Sequence, residues 1–105
     1  MTAALAGSMK TLAPTTDFRI SITNPAGADA YPIATMTWLL VHRTYTDAAK
    51  AAALVKFVWW AETEGQARAN ELGYAALPKE LRPWIEARLK TITADGKAVW
   101  TTAVR

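Results

Sequence analysis

The chain has 105 residues, a formal net charge of +3 and no cysteine. This length predicts one domain over residues 1–105, burying roughly 60–70% of the surface that the unfolded chain exposes. Half of the residues are hydrophobic, which excludes a disordered chain. The lack of cysteine excludes disulfides and thiolate metal sites, and no apolar run approaches the ~20 residues of a membrane span.

Five tryptophans are a high number for a chain of this size. Each indole buries about 150–250 Å² when covered. Leaving several of them in water would forfeit much of a stability that is typically ~5–15 kcal/mol. Most of them are therefore expected to pack inside the protomer or against a partner.

The first 41 residues predict one helix and two strands. Residues 3–12 fit a short helix interrupted at Gly7 and Ser8. Residues 18–23 alternate apolar and polar side chains, which predicts a strand with one buried face. Residues 24–32 carry two prolines, a glycine and an aspartate, and predict a loop. Residues 36–41 are nearly all apolar and predict a strand covered on both faces.

The next part of the chain is helical. Thr46 or Asp47 can cap a helix that runs to about Glu64, and alanines give this helix a strong intrinsic propensity. A second short helix follows to Leu72, and Gly73 stands where a left-handed C-cap residue is expected.

The last part predicts a helix, a turn and a strand. Pro78 can open the helix as its first residue. Pro83 would remove a hydrogen bond inside that helix, which predicts a kink or a later start near Leu81. Asp95 and Gly96 predict a turn, and residues 97–104 predict a last strand.

The residue types that carry catalysis do not form a recognisable set. His42 is the single histidine and is best explained as a strand-end residue, because a metal site or a catalytic triad would need further partners. Glu62, Glu64 and Glu71 are expected on helices as solvated charges. We therefore predict no catalytic residue, no metal, no cofactor and no enzymatic activity.

Several segments resemble one protein family in order and spacing. The residues that carry the resemblance are 22–34 with 37–41, then 47–50, 53–61 and 63–66, and finally 71–78, Glu-Leu-Gly-Tyr-Ala-Ala-Leu-Pro. Together they resemble the C-terminal portion of the phosphate-specific substrate-binding proteins of ABC transporters, the PstS family. The resemblance covers about residues 18–92.

The resemblance implies a segment of a two-lobed periplasmic binding protein. In that family the phosphate is held mainly by groups from other segments, so the resemblance assigns no phosphate-binding residue to this sequence. Two positions depart from the family pattern. Trp59 stands where a polar residue is usual, and Glu62 stands where an apolar one is usual. These changes indicate either a new contact surface on one helix or simple drift with Trp59 partly exposed.

The predicted fold class is α+β, a partial binding-protein lobe with about three strands packed against three or four helices. An unpaired apolar strand at residues 36–41 would tend to associate with strands of other chains. It is expected to pair with residues 98–104 or across a subunit interface. We predict a homo-oligomer, a dimer with strand or helix exchange, with Trp38, Trp59 and Trp100 as candidate interface residues.

The functional prediction has three alternatives. The first is a truncated PstS-like domain that does not bind phosphate alone, with a transporter-related partner as one option. The second is an oligomeric interaction module, and the third and least favoured is a basic nucleic-acid binder. The PstS family is periplasmic or at the cell surface. This sequence has no recognisable signal peptide, which leaves the compartment open between removal of a leader and a cytoplasmic protein.

Overall fold

The helices of the protein occupy its two ends and its centre, and a small sheet joins the central and last parts. The computed structural model describes residues 2–9, 13 and 16–104. Its regular elements are α1 (Thr2–Met9), β1 (Thr44–Tyr45), α2 (Ala48–Glu62), α3 (Arg82–Leu89), β2 (Thr93–Ala94), β3 (Lys97–Ala98) and α4 (Trp100–Ala103). Short 3-10 helices at Glu64–Arg68, Asn70–Leu72 and Lys79–Leu81 connect α2 to α3. These helices together with a small three-stranded sheet confirm the predicted α+β class.

Helix α2 begins and ends through local chemistry that the sequence contains. The Asp47 carboxylate accepts a hydrogen bond from the Lys50 backbone N–H at 3.0 Å, which satisfies one of the free N–H groups of the first turn. The helix ends at Glu62, and the 3-10 turns that follow end at Gly73, whose φ is 80°. The predicted N-cap at Asp47 and the left-handed cap at Gly73 are confirmed.

Proline determines where α3 starts. Pro78 precedes the 3-10 turn Lys79–Leu81 instead of opening an α-helix, and Pro83 lies in the first turn of α3. A proline in the first turn loses no helical hydrogen bond, because the first N–H groups have no partner inside the helix. The later start near Leu81 is confirmed, and the prediction that Pro78 is the first residue of the α-helix is wrong.

The sheet has the order β1-β2-β3, with β1 parallel to β2 and β2 antiparallel to β3. Asp95 and Gly96 connect β2 to β3 with φ angles of 47° and 75°. Two left-handed residues in a two-residue loop suit the right-handed twist of a hairpin, so the predicted turn is confirmed. The predicted last strand is too long, since only Lys97–Ala98 is strand and Trp100–Ala103 is helical.

Two groups of buried residues hold the elements together. The helix–sheet core consists of Ala51, Val55, Val58, Leu89, Ile92, Ala94, Val99 and Ala103. The amino-terminal core consists of Ala4, Leu5, Ile22, Ala34 and Leu81. The side chain of Ile85 packs against both cores. The radius of gyration is 15.0 Å, against about 13 Å for a compact chain of this length, which agrees with two small cores side by side.

The predicted strand at residues 18–23 is wrong, although its alternation of burial is correct. Ile20 is half-buried and Ile22 is buried, whereas Ser21 between them is exposed. Where this segment ends, the chain folds back across the loop, and the Asn24 N–H donates to the Pro32 carbonyl at 2.7 Å. Proline has no N–H to return a bond, so the pair does not develop into a ladder.

The predicted buried strand at residues 36–41 is also wrong. No helix, strand, turn or bend is assigned from 34 to 42, and all residues from 37 to 43 are exposed. Within the described part of the chain no strand lies beside this segment. Residues 98–104 do not pair with it, because Ala98 already pairs in β3 and residues 100–103 form α4.

Helix α1 runs through Gly7 and Ser8 without the predicted interruption, and residues 10–12 lie outside the described residues. Gly7 is needed for packing, because a Cβ at this position would overlap the Ala26 carbonyl oxygen of the loop at 24–32. The Ser8 hydroxyl donates to the Ala4 carbonyl of the preceding turn at 3.1 Å.

Replacing Gly7 with alanine is expected to destabilise the protein by about 1–2 kcal/mol. Alanine improves intrinsic helix propensity by up to ~1 kcal/mol, but overpacking against backbone costs typically ~1–3 kcal/mol. Urea denaturation followed by tryptophan fluorescence measures the difference. A variant more stable than the wild type would show that α1 does not pack against the loop in this way.

Candidate interaction surfaces

Trp59 and Trp100 form a packed aromatic pair at the edge of the helix–sheet core. Their ring centroids lie 5.2 Å apart with an interplanar angle of 81°, an edge-to-face arrangement. Both rings are half-buried against core residues. The Lys90 ammonium lies 5.7 Å from the Trp100 ring centroid and 2.6 Å from a Glu86 carboxylate oxygen. The pair thus contributes to the core, with one cation over its outer ring.

Trp38 lies elsewhere, beside the segment at residues 18–23. Its indole N–H donates to the Phe18 carbonyl at 2.8 Å, and Phe18 has a φ of 63°. Its side chain lines an open cavity of about 370 Å³ together with Arg19, Ile20, Ser21 and Thr35. The structure therefore brings Trp59 and Trp100 together and places Trp38 at a different site. The interface role of the three tryptophans stays a prediction.

The cavity beside Trp38 is not arranged to hold an anion. The Arg19 Nε contacts the Asp17 carboxylate at 2.5 Å, so its charge is already paired, and the side chain is 84% exposed. The Arg19 backbone N–H, and then its guanidinium, keep the pKa of Asp17 below its usual value. The carboxylate therefore stays charged beside the cavity and would repel a bound anion.

Residues 37–43, which we call the edge segment, form the largest exposed apolar stretch among the described residues. The side chain of Leu40 is 96% exposed, and those of Trp38, Leu39 and Val41 are each at least 40% exposed. The backbone of residues 37–41 makes no hydrogen bond with other described residues. An apolar run with free backbone groups is the usual signature of a surface that pairs with another chain.

A second exposed aromatic group lies on α2. Phe57 and Trp60 have ring centroids 6.3 Å apart, and each is about half exposed. The Trp60 ring also covers Gly65, where a Cβ would lie 3.4 Å from the ring. The buried face of α2 consists of Ala51, Val55 and Val58, so Phe57 and Trp60 lie outside it.

Glu62 is a half-buried carboxylate at the last residue of α2, not the solvated charge that the sequence predicted. Its Oε2 is buried and has no hydrogen-bond partner among the described residues. Burial raises the pKa of Glu62 above its usual value. A negative charge at the C-terminal end of a helix is also unfavourable. The one indication of this site in the sequence was that Glu62 stands where the family pattern usually has an apolar residue.

The remaining candidates for chemistry have structural roles. The His42 backbone N–H donates to the Tyr45 hydroxyl at 3.1 Å, and the two rings meet edge to face at 6.0 Å. In the described part of the chain no three His, Cys, Asp or Glu side chains are placed to hold a metal. Trp84 packs against the amino-terminal core and Trp100 against the helix–sheet core, and both rings are half-buried.

Comparison with curated proteins identifies relatives of this sequence. Seventy-one residues are 41% identical to the phosphate-binding protein PstS of Xylella fastidiosa strain 9a5c, covering 68% of this chain and 20% of that protein. This chain is similar to part of PstS. PstS of Xylella fastidiosa strain Temecula1 has the same identity and coverage. PstS of Pasteurella multocida is 31% identical over 83 residues, which are 77% of this chain and 24% of that protein.

The predicted resemblance to PstS is confirmed by these matches. The chain spans about a fifth to a quarter of the length of the PstS proteins it matches. No protein-family model and no solved structure matches it. In the residues that the structure describes, no helix is both long enough and apolar enough to cross a membrane.

Proposed function

We propose that this chain is a truncated PstS-like domain that does not bind phosphate by itself. The observation that carries the proposal is the 41% identity to a protein named for phosphate binding, over only 20% of that protein's length. The identity supports common ancestry. The short coverage supports the view that most of the ligand site lies in sequence that this chain does not match.

The charged groups of the described residues support the same proposal. A tight anion site needs several donors that converge in a water-excluded pocket. Arg19 is paired with Asp17, and Arg68 with Glu71 at 3.2 Å. The Arg88 guanidinium donates to the Thr16 carbonyl at 2.6 Å, and that of Arg82 donates to the Thr63 carbonyl at 3.4 Å. Each of these four guanidinium groups is therefore already engaged by a carboxylate or a carbonyl of the protein.

The expected result with inorganic phosphate is no binding tighter than about 1 mM, equivalent to about −4.1 kcal/mol. Equilibrium dialysis with radiolabelled phosphate measures this, and a full-length PstS protein such as that of Xylella fastidiosa is the positive control. Sulfate and Arg19→Gln are the matched controls. Any residual signal should be equal for both anions and unchanged in the variant. A micromolar affinity that distinguishes phosphate from sulfate would contradict the proposal.

We further propose that the chain is an oligomeric interaction module that associates with itself as a dimer. The exposed apolar edge segment favours this second function, because such surfaces are uncommon on monomers. Light scattering should show a mass that rises with protein concentration. A monodisperse monomer up to millimolar concentration would contradict it. No catalytic role is proposed, and a transporter-related partner would have to bind a dimer or compete with it.

A further inference from the structure

The edge segment separates two unequal parts of the molecule. All eight residues of the helix–sheet core lie after it, and so do the half-buried side chains that pack against this core. The strands β1, β2 and β3 lie after it as well. Residues 44–104 therefore contain a core and a sheet of their own. The amino-terminal core instead draws on both parts, since Leu81 contributes to it from the later one.

The backbone of the edge segment is accessible although its ends are anchored. No helix, strand, turn or bend is assigned from 34 to 42, and residues 37–41 make no backbone hydrogen bond with other described residues. At one end the Trp38 indole donates to the Phe18 carbonyl, and at the other Thr44 pairs in β1. Exposed segments with few hydrogen bonds open at little cost, and folded proteins are cut there first. A protease can therefore bind this backbone without unfolding the helix–sheet core.

Leu40 is the residue of the segment that best suits a protease pocket. Its side chain is 96% exposed, the highest value among the exposed large apolar side chains of the described residues. Chymotrypsin-type proteases receive the side chain that precedes the cut bond in a hydrophobic slot. The Trp38 ring is less available for such a slot, because its indole N–H is bonded to the Phe18 carbonyl.

We propose that the edge segment is a proteolytic processing site, where an endoprotease with an apolar specificity pocket cuts the Leu40–Val41 bond of the folded protein. This inference goes beyond the functions proposed above and depends on neither of them. Hydrolysis breaks the C–N bond of that peptide, and one water supplies the oxygen of the new Leu40 carboxyl group and the hydrogen of the new Val41 amine. Residues 44–104 stay folded on their own core, whereas residues 1–40 lose their covalent link to Leu81.

Side-chain exposure alone does not make a site of this kind. Leu72 is 70% exposed, but it lies in a 3-10 turn and its N–H donates to the Ala69 carbonyl at 3.1 Å. The Tyr74 N–H donates to the same carbonyl at 2.9 Å. The other exposed aromatic side chains of the described residues lie in α2 or directly precede a proline, namely Phe57, Trp60 and Tyr31. The edge segment is therefore the favoured place for the first cut.

The first test is limited digestion of the whole chain with chymotrypsin, at low protein concentration so that self-association does not cover the segment. Mass spectrometry of early time points identifies the first bond that is cut. We expect a fragment that begins at Val41 to appear first and to resist further cutting while residues 1–40 are degraded. A first cut after Leu72, after Tyr74 or within α2 would overturn the proposal.

Two variants that each remove one exposed leucine make the second test. The Leu40 N–H has no partner among the described residues, so Leu40→Pro should keep the melting temperature of the wild type. Proline fixes φ and lacks an N–H, so the Val41 fragment should form at least about tenfold more slowly. The matched control Leu72→Ala should be cut at the wild-type rate. Equal rates for Leu40→Pro and the wild type would contradict the assignment of the site.

Arg43 gives a comparison within the same segment for a trypsin-type protease. Its carbonyl accepts from the Thr93 N–H at 3.0 Å, and Thr44 pairs in β1, so the Arg43–Thr44 bond lies at the sheet although Arg43 is exposed. Trypsin should leave this bond intact under conditions in which chymotrypsin cuts the Leu40–Val41 bond. An early tryptic fragment that begins at Thr44 would show that β1 opens readily, and it would overturn the claim that residues 44–104 stay folded.

Discussion

Replacing Leu89 with alanine is expected to lower the free energy of unfolding by about 2–5 kcal/mol, the usual range for a buried leucine. Leu89 is the last residue of α3 and is 3% exposed in the helix–sheet core. Its loss removes apolar contacts and leaves a cavity between α3, α2 and the sheet. Because the total stability of such a chain is typically ~5–15 kcal/mol, the variant loses a large share of it.

Chemical denaturation followed by tryptophan fluorescence measures the effect of Leu89→Ala. The same substitution at Leu72, which is 70% exposed, is the matched control and should change stability by no more than about 0.5 kcal/mol. Because both variants lose the same atoms, the difference between them isolates burial. Equal losses at the two positions would mean that α3 does not close the helix–sheet core.

Replacing Glu62 with leucine is expected to stabilise the protein at pH 7 by about 1–3 kcal/mol, the usual cost of a buried polar group without a partner. The wild-type Oε2 is buried without a hydrogen-bond partner among the described residues. Leucine has a similar volume and carries no polar atom. The matched control is Glu64→Leu in the 3-10 turn that follows, where the side chain is exposed and little change is expected.

The stabilisation by Glu62→Leu should depend on pH in a defined direction. Burial raises the pKa of Glu62 in the folded state above the usual value of a glutamate. Between the unfolded and folded pKa values the folded protein binds more protons, so wild-type stability falls as pH rises through that window. The advantage of the variant should be smallest below pH 4.5 and larger at pH 7. An advantage that shrinks with rising pH would show that the carboxylate is favourably solvated or paired.

The sequence predicted the helical parts of the fold well because their signals are local. Asp47 caps α2 through a neighbour three residues away, and Gly73 ends the 3-10 turns through its own φ. Pro83 shifts the start of α3 within a single turn, and Asp95 with Gly96 closes a two-residue hairpin. Each feature depends on residues within about one turn of chain, so a single sequence contains the information.

The candidate interaction surfaces were only partly predictable. Five tryptophans predicted extensive aromatic packing, and Trp59 does pack against Trp100. The contact joins α2 to α4, which are about 40 residues apart, so spacing alone did not predict it. The exposure of Glu62 was predicted wrongly. Residue type alone favours an exposed glutamate, whereas the burial of this side chain depends on what covers the end of α2.

By itself the sequence determined the approximate positions of α1, α2 and α3, the caps at Asp47 and Gly73, the hairpin turn and the similarity to PstS. Only the tertiary structure decided that residues 18–23 and 36–41 are not strands, because a strand needs hydrogen bonds from a distant segment and its own residues cannot supply them. The same requirement left Leu40 and its neighbours exposed, with no backbone hydrogen bond from residues 37–41 to other described residues. Helical hydrogen bonds close within the segment that forms them, whereas the pairing of a strand depends on which other segments are present beside it.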